Sequence, residues 1–160
     1  MVPLRAYLDA SVLGGPFDPE FENPSTELID AILAGEVAAL LSDTLLVETG
    51  QAPERVRELV RKLLRAGSEA LPLSAEAFAL RNAYLAAGVL TRKSADDALH
   101  VAQATIARAD IVVSWNFRHL VNPVRVRLFN GVNVARGYGL VVIMTPFEVI
   151  RVLKEMRDEA

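Results

Sequence analysis

Short apolar runs alternate along this chain with longer segments of helical character, and this alternation limits the fold more than any other feature. The runs occupy residues 4–8, 37–41, 70–73, 111–114 and 141–144. Alternating strands and helices favour a mostly parallel sheet, because each crossover helix packs on a face of the sheet. The sequence therefore predicts one α/β domain over residues 1–160, with a central sheet of about five strands and helices on both faces.

Capping and breaking residues set the expected ends of the helices. We expect helices over residues 23–34, 53–67, 74–87 and 94–108, a short helix after Ser42, and a terminal helix opened by a capping box at Thr145. Ser94 is predicted to cap the fourth of these helices. Gly14, Gly15 and the Asp18-Pro19 pair indicate an irregular connection after the first strand. No helix is assigned between residues 114 and 141.

The residue types that are missing exclude several kinds of site. The chain has 160 residues, no cysteine and two histidines. Disulfides, thiolate zinc sites, cysteine nucleophiles and three-histidine zinc sites are therefore excluded. No apolar run approaches the roughly 18–20 residues of a membrane span, and residues 1–9 do not resemble a secretory signal, so we expect a cytoplasmic protein. Any metal ion is expected to be Mg²⁺ or Mn²⁺, held by carboxylates.

The charges are unevenly distributed. The formal net charge is −3, but residues 1–50 carry nine acids and one base, whereas residues 111–160 carry four acids and seven bases. No acid lies between Asp110 and Glu148. That stretch contains Arg118, Arg125 and Arg127, which form either a solvated surface or a basic lip for phosphates.

Two polar side chains follow predicted strands at the edge where parallel sheets bind ligands. Asp9 follows the first strand and Asn116 follows the fourth. Asp9 either caps the next turn or is a metal ligand, with Ser11 close enough to orient water.

Three further acids lie at the edges of apolar elements. Glu48 sits in an apolar helical stretch, where it either faces solvent, pairs with an arginine such as Arg55, or belongs to a site. Asp96 and Asp97 begin a helix, where acids complement the helix dipole, although one of them can also point into a site. Bringing several carboxylates together requires a divalent cation or protonation.

Other chemistries fit the sequence less well. It has no glycine-rich phosphate loop with a lysine, no dinucleotide fingerprint and no nucleophile elbow. A triad of Ser11, His100 and Asp97 is conceivable, as in a small hydrolase, but no local motif supports it. His119 is interpreted as a surface or core-edge residue, and Trp115 as a packing residue.

Four motifs together resemble the PIN-domain family, and the match extends over essentially the whole chain. They are YLDASVL at residues 7–13, Glu48 in a short helix, DDALHVA at residues 96–102, and VVSWNF at residues 112–117. The last motif resembles a subgroup with the pattern Ser-Trp-Asn-Phe. The resemblance implies a PIN-like, Rossmann-like fold of three layers.

The resemblance also implies a function. Many prokaryotic PIN proteins are VapC-like ribonucleases, the toxins of type II toxin–antitoxin pairs. It implies that Asp9, Glu48 and Asp97 bind Mg²⁺ or Mn²⁺, and that metal-activated water attacks an RNA phosphodiester in line. Asn116 and Ser11 would complete the catalytic set, and Ser114, Arg118, Arg125 and Arg127 would bind substrate. The implied partners are RNA, an antitoxin protein and a second copy of the chain in a homodimer or higher oligomer.

Asn116 departs from the family pattern, which usually has an acid at this position. Asparagine can coordinate through its carbonyl oxygen or orient water, but it adds no negative charge. An alternative function therefore stays open, in which the chain is a catalytically degenerate PIN-like module that binds RNA or a protein partner.

Overall fold

The computed structural model describes residues 2–160, and Met1 of the predicted 1–160 domain lies outside this range. Five parallel strands form one sheet in the order β3-β2-β1-β4-β5. The strands are β1 (Leu4–Leu8), β2 (Val37–Ser42), β3 (Glu69–Leu71), β4 (Ile111–Val113) and β5 (Ile143–Met144). The predicted parallel α/β architecture is confirmed.

Eight helices connect and cover the strands in the described chain. They are α1 (Ala10–Gly14), α2 (Glu22–Leu33), α3 (Asp43–Thr49), α4 (Glu54–Arg65), α5 (Ala75–Ala86), α6 (Ala95–Ile106), α7 (Pro123–Ala135) and α8 (Pro146–Glu159). Two short 3₁₀ helices, Gly15–Phe17 and Arg92–Ser94, follow α1 and precede α6. None of the helices in residues 2–160 has the length and apolar character needed to cross a membrane.

The side chains of β1 show how the sheet separates two layers of core. Ala6 and Leu8 pack into the cluster that includes residues of α2, α4 and α8. Tyr7, which lies between them, points to the opposite face and packs with Ala104 of α6. Helices α5, α6 and α7 form a further cluster, in which the ring of Tyr84 packs edge-on against Phe129. The predicted cover on both faces is therefore present.

Three local predictions were wrong. The connection after β1 is helical as far as Phe17, because Asp9 caps α1 by accepting a hydrogen bond from the Val12 N–H. Ser94 ends a 3₁₀ helix, and its side chain makes no capping bond to α6. Helix α7 was missed; β-branched valines weaken its helical signal, although Asn122 caps it and Pro123 is its first residue.

Candidate active site

Asp9 stands directly after β1, at the carboxyl edge of the sheet. Its side chain is 5% exposed. One carboxylate oxygen accepts a hydrogen bond from the Ser11 hydroxyl at 2.6 Å, and the other accepts one from the Ser114 hydroxyl. Burial raises the pKa of Asp9, while the bonds from Ser11 and Ser114 act in the opposite direction. Asp9 is thus both a helix cap and a buried acid held by two hydroxyls.

Glu48 reaches the same region from α3. The Ser42 hydroxyl caps this helix by accepting a hydrogen bond from the Leu45 N–H at 3.1 Å. The Glu48 carboxylate lies 2.7 Å from Nε2 of His100. The predicted alternative, pairing with Arg55, is wrong, because the guanidinium of that arginine lies over the Phe17 ring at 5.4 Å.

His100 is anchored on its other side by Tyr7. The Tyr7 hydroxyl lies 2.6 Å from Nδ1 of His100 and 2.7 Å from the Ser42 hydroxyl, and it donates to the Gln103 side-chain oxygen at 3.2 Å. Burial raises the pKa of Tyr7, so the phenol stays neutral. A buried polar network therefore fixes the ring that holds Glu48.

Asp97, in the first turn of α6, is held by the segment that follows β4. Its carboxylate lies 2.8 Å from Nδ1 of His119 and accepts a hydrogen bond from the Asn116 amide at 3.4 Å. The Asn116 side-chain oxygen accepts the backbone N–H of His119 at 3.0 Å. Both ends of the Asn116 side chain are thus engaged, and they connect Asp97 to the loop.

The three acids Asp9, Glu48 and Asp97 share one electrostatic environment. Burial lowers the pKa of His100, but the hydrogen bond and charge of Glu48, together with the charges of Asp9 and Asp97, outweigh burial and raise this pKa overall. Of the three acids, Glu48 contacts the imidazole directly, whereas the charges of Asp9 and Asp97 act on it without a hydrogen bond.

Asp96 lies beside Glu48 rather than beside Asn116 and His119. It is exposed and lines a small cleft of about 240 Å³ together with Asp43, Glu48 and Leu73. Asp97, rather than its neighbour, makes the contacts to Asn116 and His119.

The residues predicted to bind substrate are more dispersed. Ser114 is fully buried, and its hydroxyl donates to Asp9. Arg125 donates to the Val89 carbonyl at 2.6 Å, whereas Arg118 and Arg127 are exposed. In residues 2–160, none of these three arginines forms an ion pair with the site carboxylates. Of the three arginines, Arg118 lies closest along the chain to Asn116, which contacts Asp97.

Sequence reasoning missed the roles of both histidines. The imagined triad is not assembled, because the Ser11 hydroxyl bonds to Asp9 and the Trp115 N–H, while His100 bonds to Tyr7 and Glu48. His100 lies three residues after Asp97 on α6, and this helical spacing was the available signal.

The donor chemistry of the acids suits a small, hard cation. Within residues 2–160, no three His, Asp or Glu side chains are grouped so that they could hold a metal ion. Glu48 and Asp97 each engage one carboxylate oxygen in the bonds described above, and the second oxygen of each accepts no hydrogen bond from the described residues. Mg²⁺ commonly binds one or two carboxylates and completes its shell with water and substrate phosphate. The carboxylates are thus the donor type that Mg²⁺ and Mn²⁺ prefer, but as placed in residues 2–160 they are not gathered into a three-ligand site.

Comparison with known proteins gives similarity at the level of structure. No protein-family profile matches the sequence, and no curated protein matches it. Among solved structures, a chain of VapBC2 from Rickettsia felis, bound to a DNA fragment from their promoter, superposes with a TM-score of 0.58 and 11% identity, covering 89% of this chain and 98% of that chain.

A second solved structure has the same fold. A chain of FitAB, bound to an IR36 DNA fragment, superposes with a TM-score of 0.56 and 15% identity, covering 88% of this chain and 94% of that chain. At these identities the comparisons establish the architecture. The fold is the PIN-like fold predicted from the sequence.

Proposed function

We propose that the protein is a Mg²⁺- or Mn²⁺-dependent ribonuclease and the toxin of a type II toxin–antitoxin pair. The observation that carries the proposal is the hydrogen-bonded connection of three acids at the carboxyl edge of a parallel sheet: Ser114 and Asn116 link Asp9 to Asp97, and His100 of the same helix as Asp97 holds Glu48. The similarity in fold to chains of VapBC2 and FitAB supports the toxin–antitoxin assignment.

Asp9, Glu48 and Asp97 would hold the metal ion. When bound, the ion would supply positive charge to the phosphodiester and lower the pKa of the attacking water. The hydroxyls of Ser11 and Ser114 keep the Asp9 carboxylate in one orientation. His100 and His119 do the same for Glu48 and Asp97. Since the three acids are not grouped as a metal site in residues 2–160, the ion would have to draw them together as it binds.

Cleavage of RNA by the purified chain in Mn²⁺ tests the proposal. We expect cleavage of single-stranded or structured RNA, loss of cleavage in EDTA, and loss in Asp9→Asn. Asp30→Asn is a matched control, because it makes the same charge change on the exposed side of α2.

Circular dichroism and thermal melting establish that each variant is folded. Glu48→Gln provides a second inactive variant, because its side chain is 31% exposed and its substitution disturbs the core less than that of Asp9. Equal cleavage by folded Asp9→Asn and Glu48→Gln would overturn the proposal.

Asn116 favours a second candidate function, a catalytically degenerate module that binds RNA or a protein partner. The side chain of Asn116 contributes no charge and is already engaged with Asp97 and His119. Titration calorimetry with Mn²⁺ separates the two functions. The ribonuclease should bind the ion in a manner that Glu48→Gln weakens, whereas the degenerate module should show no such binding.

The toxin role has its own test. Expression of the chain alone should slow bacterial growth, and Asp9→Asn should relieve the effect. A small antitoxin protein should form a stable complex with the chain and restore growth. Growth arrest that persists in the folded Asp9→Asn variant would contradict toxicity through cleavage.

A further inference from the structure

Three aromatic side chains form a cluster beside the carboxylates. The rings of Phe21 and Trp115 stack with their centroids 4.3 Å apart and an interplanar angle of 19°. The Phe117 ring lies 6.4 Å from Phe21 and 6.1 Å from Trp115, tilted against both. Phe117 is 53% exposed. We call Phe21, Trp115 and Phe117 the aromatic cluster.

Hydrogen bonds and close packing hold the base of this cluster in place. The Trp115 indole N–H donates to the Ser25 hydroxyl at 2.8 Å. Gly15 permits this contact, since a Cβ at that position would lie 2.1 Å from the Ser25 oxygen and 3.0 Å from the indole nitrogen. The exposed Phe117 ring therefore rests on a fixed support, which reduces the entropy lost when a ligand binds.

Hydrogen bonds from the backbone and from side chains connect the aromatic cluster to the site. The Trp115 N–H donates to the Ser11 hydroxyl at 2.9 Å, and that hydroxyl donates to Asp9. Asn116, between the two clustered residues in sequence, donates to Asp97. Phe117 thus directly follows, in the sequence, a residue that contacts the candidate metal ligand Asp97.

The charges around the aromatic cluster are unequal. Phe21 is flanked by the exposed acids Glu20 and Glu22, whereas Phe117 is followed by the exposed base Arg118. A phosphate backbone would therefore pass on the Arg118 side, with its bases towards the rings. Single-stranded RNA is commonly bound by stacking of unpaired bases on aromatic side chains, with basic groups on the phosphates.

We propose that Phe117, supported by Trp115 and Phe21, stacks on an unpaired base of RNA bound at the carboxylates and is the residue by which this chain distinguishes unpaired from paired bases. This inference rests on the proposed ribonuclease function for the identity of the ligand. Stacking on a π-face is tolerant of base identity, so the aromatic cluster selects for strand state rather than for sequence.

Trp115 provides a direct measurement, because it is the only tryptophan of the chain. The Asp9→Asn protein in EDTA is titrated with a single-stranded RNA 12-mer, with an abasic oligomer of equal length and charge, and with a 12-bp RNA duplex. We expect the single strand to quench Trp115 fluorescence and to bind more tightly than the abasic oligomer or the duplex.

Substitutions of Phe117 separate stacking from general apolar contact. Phe117→Leu should weaken binding of the single strand about tenfold, the loss of one stacked base, and should leave binding of the abasic oligomer unchanged. Phe117→Tyr should retain binding within about twofold. Phe78→Ala is the control, since Phe78 lies in α5 with the Arg81 guanidinium over its ring and is also partly exposed.

Equal binding of the single strand by the parent and Phe117→Leu, or equal binding of the single strand and the abasic oligomer, would overturn the stacking proposal. Loss of antitoxin binding alone in Phe117→Leu would also overturn it and would make the aromatic cluster a protein interface. The parent protein could also bind the single strand in a manner that Phe117→Leu weakens and yet fail to cleave RNA. That result would refute the ribonuclease function but support the stacking site.

Discussion

Two carboxylate–imidazole pairs differ in their surroundings. The nitrogen–oxygen distance is nearly the same in both, 2.7 Å for Glu48–His100 and 2.8 Å for Asp97–His119. The His100 side chain is 3% exposed and is held on its second nitrogen by Tyr7. The His119 side chain is 21% exposed and follows β4 in a connecting segment. The two acids are similarly exposed, at 31% for Glu48 and 28% for Asp97, so the pairs differ in their histidines: His100 belongs to the core, whereas His119 is partly solvated.

The two pairs therefore hold their carboxylates in different ways. A buried imidazole with both nitrogens engaged keeps the Glu48 carboxylate in one orientation. Asp97 is held by two loop side chains, Asn116 and His119, which lie close in sequence to Phe117 and Arg118. We infer that RNA bound on the aromatic cluster disturbs the contacts of Asp97 more than those of Glu48.

Removal of each histidine gives the largest expected contrast. His100→Ala should lower the free energy of unfolding by about 2–4 kcal/mol, because it leaves a cavity and unpaired buried partners. His119→Ala should cost less than about 1 kcal/mol, since its pair is partly solvated. Urea denaturation measures both. Equal losses of unfolding free energy in the two variants would show that the two histidines contribute equally to stability, against this expectation.

Much of the fold followed from local signals in the sequence, and much of the site did not. The β1 boundaries and the capping box at Thr145 were predicted, because apolar runs and caps act over a few residues. Helix α7 was missed, because its valines obscure the helical pattern while tertiary packing of Phe129 stabilises it. Propensity is a weak guide where tertiary contacts decide.

Prediction of the site was limited in the same way, by contacts between residues that are far apart in the sequence. The acids were identified from their positions after strands and in helices, and the family resemblance selected Asp97 over Asp96. The partners of these acids come from segments that are distant in sequence, such as His100, which is 52 residues from Glu48, and Ser114, which is 105 residues from Asp9. No spacing rule links such pairs, so the bonds from His100 to Glu48 and Tyr7 and from His119 to Asp97 emerged only from the folded chain.

Loss of the Tyr7 hydroxyl tests whether the core anchors the first pair. Tyr7→Phe retains the buried ring and removes the bonds to His100, Ser42 and Gln103. We expect the free energy of unfolding to fall by about 1–3 kcal/mol, because buried polar atoms lose their partner. Tyr138→Phe is a control, since its hydroxyl contacts Glu76 at an exposed position. A similar loss in both variants would argue against a special role for the buried network.

The smallest expected effect is the coupling energy between Asp97 and His119. In a double-mutant cycle with Asp97→Asn and His119→Gln, we expect about 0.2–1 kcal/mol, as for other partly solvated ion pairs, and a decrease with added salt. The same cycle with Glu48→Gln and His100→Gln should give a larger and less salt-dependent value, because the imidazole is buried. A larger coupling energy for Asp97 and His119 than for Glu48 and His100 would contradict this ordering of the two pairs.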